Sequence, residues 1–186
     1  MKAKKLRNVV GIDISSTVAG VSVLDEDQNL LFWKWYNFKK NDDLDDIIDL
    51  GFFFEDIILE ELKEYNPFYF SLEDRLKSFS GGRTSNTTIM KLAKVNGLVE
   101  YIISKQYGKE RIQKHHPMTA RKNSFLKRGR SPQGIDVKDW VIKNTMEKYP
   151  ELEFPVKTRS RKNPKPFIDE ASDVCDSIVL ASCFKR

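Results

Sequence analysis

Val9-Val10-Gly11-Ile12-Asp13-Ile14-Ser15-Ser16 is an apolar run that meets a carboxylate and passes into small hydroxylated residues. A second apolar run follows at Gly20-Val21-Ser22-Val23-Leu24. Asp is a poor strand former and is rarely buried alone, so Asp13 calls for a reason. Two readings stand open on this stretch. Asp13 can cap a tight turn, since Asp and Ser favour turns. Or it is a metal-ligating carboxylate held on a rigid strand, which requires acidic partners elsewhere in the chain.

Working outward, residues 8–15, 20–25 and 29–37 read as three short strands, with Asp25-Glu26-Asp27-Gln28-Asn29 as a hairpin turn. They predict an antiparallel meander. Asn41 or Asp42 offers an N-cap to an amphipathic helix over 42–65, built on Leu44, Ile47, Ile48, Gly51, Phe54, Ile58, Leu62 and Tyr65. The acids at its start suit the helix dipole and need no catalytic role. Pro67-Phe68-Tyr69-Phe70-Ser71-Leu72-Glu73 is the next strand, and it too ends on a carboxylate. A helical crossover before it predicts parallel pairing. If it lies beside the first strand, Asp13 and Glu73 project side by side.

A glycine-containing basic loop over about 77–85 leads to a long helix over 86–106, in which Gly97 would permit close packing against another element. Residues 111–116 read as a last short strand, ending in His115 and His116 before Pro117. With no spaced acidic or Cys partner nearby, the two histidines suit polar or nucleic-acid contact better than metal ligation. Residues 119–133 read as a basic, turn-rich loop, 136–149 as a helix, and 150–166, with four prolines, as irregular. The basic part of that segment, about 155–166, is expected to order on binding.

At 186 residues and 40% hydrophobic content, one domain with one substantial core is expected across 1–186. No apolar run approaches the ~20 residues that cross a bilayer. The basic N-terminus runs into a strand and not into a signal-peptide core. The two cysteines, Cys175 and Cys183, give no disulfide framework, which fits a reducing, cytoplasmic setting. The net charge of +5 conceals a segregation. Residues 25–64 hold 4 Lys/Arg against 13 Asp/Glu, whereas 109–165 hold 16 against 6. A basic block of that density is the footprint of a polyanion binder or a solvated face.

The last segment supplies the acidic partners. Asp169 and Glu170 have sufficient reason to be acidic as helix cap and first turn. Asp173 and Asp176 stand three residues apart on one helix face, just before the apolar run Ile178-Val179-Leu180-Ala181. Two like charges at the edge of a buried helix are costly unless a cation neutralises them. Asp13, Glu73, Asp173 and Asp176 form an all-oxygen donor set, which selects Mg²⁺ or Mn²⁺. Two such ions can activate water and stabilise a leaving 3′ oxygen.

These motifs, Gly11-Ile12-Asp13, the strand-end Glu73 and Asp173-Val-Cys-Asp176-Ser-Ile-Val-Leu-Ala, resemble those of the RuvC-type Holliday junction resolvases. The extended segments after Glu73 and before the last helix are similar to those of divergent, phage-encoded members. The resemblance implies a ribonuclease H-like α/β fold: a mixed five-stranded sheet, its first three strands antiparallel and the rest parallel, flanked by helices. It implies two Mg²⁺ (Mn²⁺ substituting) on Asp13, Glu73, Asp173 and Asp176, with Lys122 and Lys138 as catalytic lysines and no organic cofactor. It implies DNA contacts from Arg75, Lys77, Phe79, Arg83, Arg121, Lys127, Arg128, Arg130, Arg159, Arg161 and Lys162. The expected activity is metal-dependent cleavage of branched DNA, four-way junctions above all, by a homodimer. A non-catalytic branched-DNA-binding module, or a ribonuclease H-like nuclease acting on RNA–DNA hybrids, is the alternative.

Overall fold

The computed structural model describes residues 7–38, 46–74, 86–155, 167–168 and 170–185. Five strands form one mixed sheet: β1 (Asn8–Ile14), β2 (Val18–Leu24), β3 (Leu30–Asn37), β4 (Pro67–Glu73) and β5 (Ile112–His115). Their order is β3-β2-β1-β4-β5. β1 to β3 pair antiparallel, while β4 lies parallel to both β1 and β5. This is the predicted architecture. Its centre is β1, buried along its whole length because both faces are covered.

One face of the sheet carries Val10, Ile12, Ile14, Phe70 and Leu72 into a core shared with the helices between β3 and β5. The first of these, α1 (Ile47–Phe53), is capped by Asp46, whose side chain accepts hydrogen bonds from the main chain of Ile48 and Asp49. The expected caps, Asn41 and Asp42, lie outside the described residues, and the described helix begins after Asp46, which is extended. The run continues through a π-helical segment (Phe54–Leu59), the short α2 (Glu60–Leu62) and a 3-10 turn (Lys63–Tyr65). It buries Phe54, Ile58, Leu59 and Leu62 completely, each side chain contributing roughly 1.5–3 kcal/mol. Asn66, at φ 47, ends it in the left-handed conformation that Asn tolerates.

The long α3 (Asn86–Tyr107) adds Val95, Val99, Ile102 and Ile103 to the same core. A Cβ at Gly97 would meet nothing within 4 Å, so the close packing expected there is not made among the described residues.

The other face is covered by α4 (Pro117–Asn123), α5 (Val137–Lys148) and α6 (Glu170–Ser182). α6 lies directly on β1 and β2, and two glycines allow it. A Cβ on Gly11 would collide with the Ser177 carbonyl and stand 2.8 Å from Ala181 N; one on Gly20 would collide with the Asp173 carbonyl. The 119–133 stretch is not a loop throughout, because α4 occupies its first part. The reason is local: His116 caps the helix and Pro117 takes its first turn, where a missing N–H costs nothing. Likewise Leu152 and Phe154, within the proline-rich irregular stretch, are buried in the second core.

Candidate metal and nucleic-acid site

Asp13 is buried, 3% exposed, on the face of β1 that Gly11 presents to α6. Its register partner is Gly20, the residue lying beneath Asp173. One step earlier Ile12 pairs with Leu72, so the β1–β4 pairing leads from Asp13 to Glu73. Glu73 shares its face with Tyr69, which stacks on Phe184 just beyond α6 at 4.5 Å between ring centres. The strand-end carboxylates thus lie on the side of the sheet that α6 covers. Asp173 and Asp176 belong to that helix.

Two cations approach the acids. Arg121 Nη2 stands 3.6 Å from Asp176 Oδ1, with the side chains only 14% and 20% exposed. Lys138 Nζ donates to Ser172 Oγ at 3.1 Å, next to Asp173 in the chain. Lys122 is exposed on α4. Among the described residues no three His, Cys, Asp or Glu side chains are grouped closely enough to hold an ion. The donor chemistry of the four carboxylates, oxygen throughout, is the kind a hard divalent cation takes.

His115 is the register partner of Glu73. Burial, then the charge of Lys185, lowers its pKa below the ordinary histidine value. Its Nε2 is buried and has no hydrogen-bond partner among the described residues, and neither does Nε of Arg121. His116 plays a different part, because its Nδ1 accepts from Met118 N at 3.3 Å and caps α4. Cys175 lies between the two aspartates in sequence but points into the core, and burial pushes its thiol well up.

The turn after β1 is built by Ser15, whose Oγ accepts from Thr17 N at 3.2 Å and Val18 N at 3.1 Å. Beside it opens a cavity of about 730 Å³ whose lining includes Ser16, Thr17, Lys91 and Lys94. Sequence reasoning missed these lysines, whose i, i+3 spacing on a helix was the available signal. It gave His115 only polar or nucleic-acid contact, and grouped Arg121 with the DNA contacts. The His116-Pro117 start signal would have phased α4 and turned Arg121 inward.

Lys127, Arg128 and Arg130 are exposed after α4. Arg75, Lys77, Phe79, Arg83, Arg159, Arg161 and Lys162 lie outside the described residues. No helix among the described residues is long and apolar enough to cross a membrane.

No family model and no curated protein matches the sequence. Solved structures do match in fold. Thermus thermophilus RuvC in complex with Holliday junction substrate aligns at a TM-score of 0.61 and 15% identity, over 95% of this chain and 91% of that one. A second Thermus thermophilus RuvC structure aligns at 0.60 and 14%, over 95% and 92%. The yeast mitochondrial Holliday junction resolvase Ydc2 aligns at 0.57 and 14%, over 94% and 75%. With its five-stranded mixed sheet and the final helix laid across β1 and β2, the chain has the ribonuclease H-like fold of the RuvC-type Holliday junction resolvases.

Proposed function

We propose that this chain is a structure-selective endonuclease that cuts branched DNA, four-way junctions in particular, as a metal-dependent nuclease domain. The observation that carries the reading is the row of carboxylates: Asp13 and Glu73 at neighbouring strand ends, under the helix that bears Asp173 and Asp176. When bound, a pair of Mg²⁺ or Mn²⁺ ions supplies activation of the attacking water and stabilisation of the leaving 3′ oxygen. Asp13, Glu73, Asp173 and Asp176 would hold them. Lys138 and Arg121 face the scissile phosphate and offset its charge, with Lys122 at the rim. Lys91 and Lys94 line a path for the strand beside the Ser16 turn, and Lys127, Arg128 and Arg130 take the duplex arms.

A homodimer suits the outer face of α1 and α3. Phe52 and Tyr101 are 60% and 65% exposed there, and Gly97 leaves room for a second backbone.

The test is incubation of a synthetic junction with Mg²⁺ or Mn²⁺, alongside Y-forks, flaps and RNA–DNA hybrids. Asp13→Asn and Asp176→Asn should abolish cleavage and leave binding intact. Variants that cut as well as the unmodified chain sink the proposal. The Arg121–Asp176 ion pair favours a second reading, a non-catalytic branched-DNA-binding module whose acids are already neutralised. Tight junction binding without cleavage under any divalent ion selects it.

A further inference from the structure

We propose that the cavity beside the Ser16 turn takes one unstacked nucleotide of the DNA, its phosphate held by Lys91 and Lys94 and its base laid on Leu50 and Leu98. The inference rests on the reading above that this chain binds branched DNA, and it names what the strand presents there.

The placement comes from the end of β1. Ser15 follows that strand directly, and its main-chain N–H donates to the Val18 carbonyl at 2.8 Å, closing the turn into β2. Ser16 and Thr17, on that turn, belong to the lining of the cavity. Ser16 stands three residues beyond Asp13, within about 11 Å even along a fully extended chain. A strand with one phosphate at the acids therefore reaches the cavity within a few nucleotides. Ile14, next to Asp13, enters the core that α1 and α3 share, so the strand passes over the sheet end from the α6 side to theirs.

The chemistry comes from two kinds of lining. Lys91 and Lys94 stand exposed, one turn apart on α3, and offer donors and charge to a phosphate. Ile47, Ile48, Leu50 and Leu98 are apolar. α1 and α3 close tightly beneath them, since a Cβ on Gly51 would stand 2.7 Å from Leu98 Cδ2. The lining also includes Asp46, whose side chain is engaged by the main chain of Ile48 and Asp49. Paired lysines beside an apolar surface suit a nucleotide, which joins an anionic phosphate to the flat face of a base. The volume, about 730 Å³, falls in the ordinary range of small-ligand pockets, about 300–1,000 Å³. Drawing a base from its stack costs least where it is already unpaired, so such a cavity favours branch points over continuous duplex.

The test places 2-aminopurine, which brightens on leaving the stack, at each nucleotide beside the branch point of a synthetic junction. Fluorescence is read on saturation with the full chain, with and without Mg²⁺. At one position it should rise at least about threefold. The double variant Lys91→Ala, Lys94→Ala and the variant Ile48→Glu should each suppress that rise at saturation, whereas Arg128→Ala should weaken binding and keep it. Junction binding by the unmodified chain with no rise at any position overturns this inference alone. A rise that both cavity variants leave unchanged puts the unstacked base elsewhere and also overturns it. A chain that binds no junction under either condition overturns the branched-DNA reading with it.

Discussion

Arg121 Nη2 and Asp176 Oδ1 stand 3.6 Å apart between α4 and α6, both side chains mostly screened from water. A guanidinium in that position does two things. It neutralises a carboxylate on a buried helix, and it offers donors to an anion arriving at the same place. Arg121→Ala should therefore lower cleavage about a hundredfold, in the range seen when one charge-stabilising donor is lost. Divalent binding should tighten in the same variant, because a competing cation is gone. Single-turnover cleavage and metal titration together read this out; a change in neither would remove Arg121 from the site.

α6 can lie on the sheet only because Gly11 and Gly20 lack side chains. Gly20→Ala should push the Asp173 end of the helix outward and destabilise the fold by about 1–3 kcal/mol, the usual range for overpacking. Gly97→Ala, on an open helix surface, should instead stabilise by a few tenths to about 1 kcal/mol. Urea unfolding of the pair separates a packing requirement from a general intolerance of glycine replacement.

Glu61 provides a pH-dependent contribution far from the site. Burial raises its pKa, but hydrogen bonds from Lys34 at 2.8 Å and Tyr36 at 2.7 Å, with the charge of Lys34, more than offset this. The net result is a carboxyl below its ordinary value of 4.5. A depressed folded-state pKa stabilises the fold above the unfolded value and loses that effect as pH falls through the folded one. Tyr36→Phe should therefore flatten the fall in stability as pH drops below the ordinary Glu value of 4.5. Chemical unfolding across that window, in both proteins, is the measurement.

The exposed Phe52 and Tyr101 predict self-association. Tyr101→Glu should yield a monomer by light scattering while leaving the far-ultraviolet circular dichroism unchanged. A monomeric unmodified chain at micromolar concentration would remove this face from consideration.

Arg128 and Arg130 are exposed on the segment after α4. If each meets a phosphate, alanine at either position should weaken junction binding for all sequences alike and reduce the salt slope by about one. Titrations at several salt concentrations decide it.

Strand and helix types were legible because they follow from local periodicity. The apolar alternation of Pro67–Glu73 and the 3.6-residue spacing along 86–106 carry their own signal, and both elements stand where that signal put them. The start of α1 was less so, since several acids in a row could cap it; in the described helix Asp46 does, in a capping box with Asp49. The strand-end position of Asp13 and Glu73 and the shared helix of Asp173 and Asp176 were local facts too, so the sequence by itself determined which carboxylates to compare. What only the tertiary structure decided was adjacency. Register between strands far apart in the chain set His115 beside Glu73, because pairing depends on long-range packing and not on neighbours in sequence. The phase of α4 against α6 turned Arg121, and not Lys122, toward Asp176, because burying Ala120 fixes which side of that short helix faces inward.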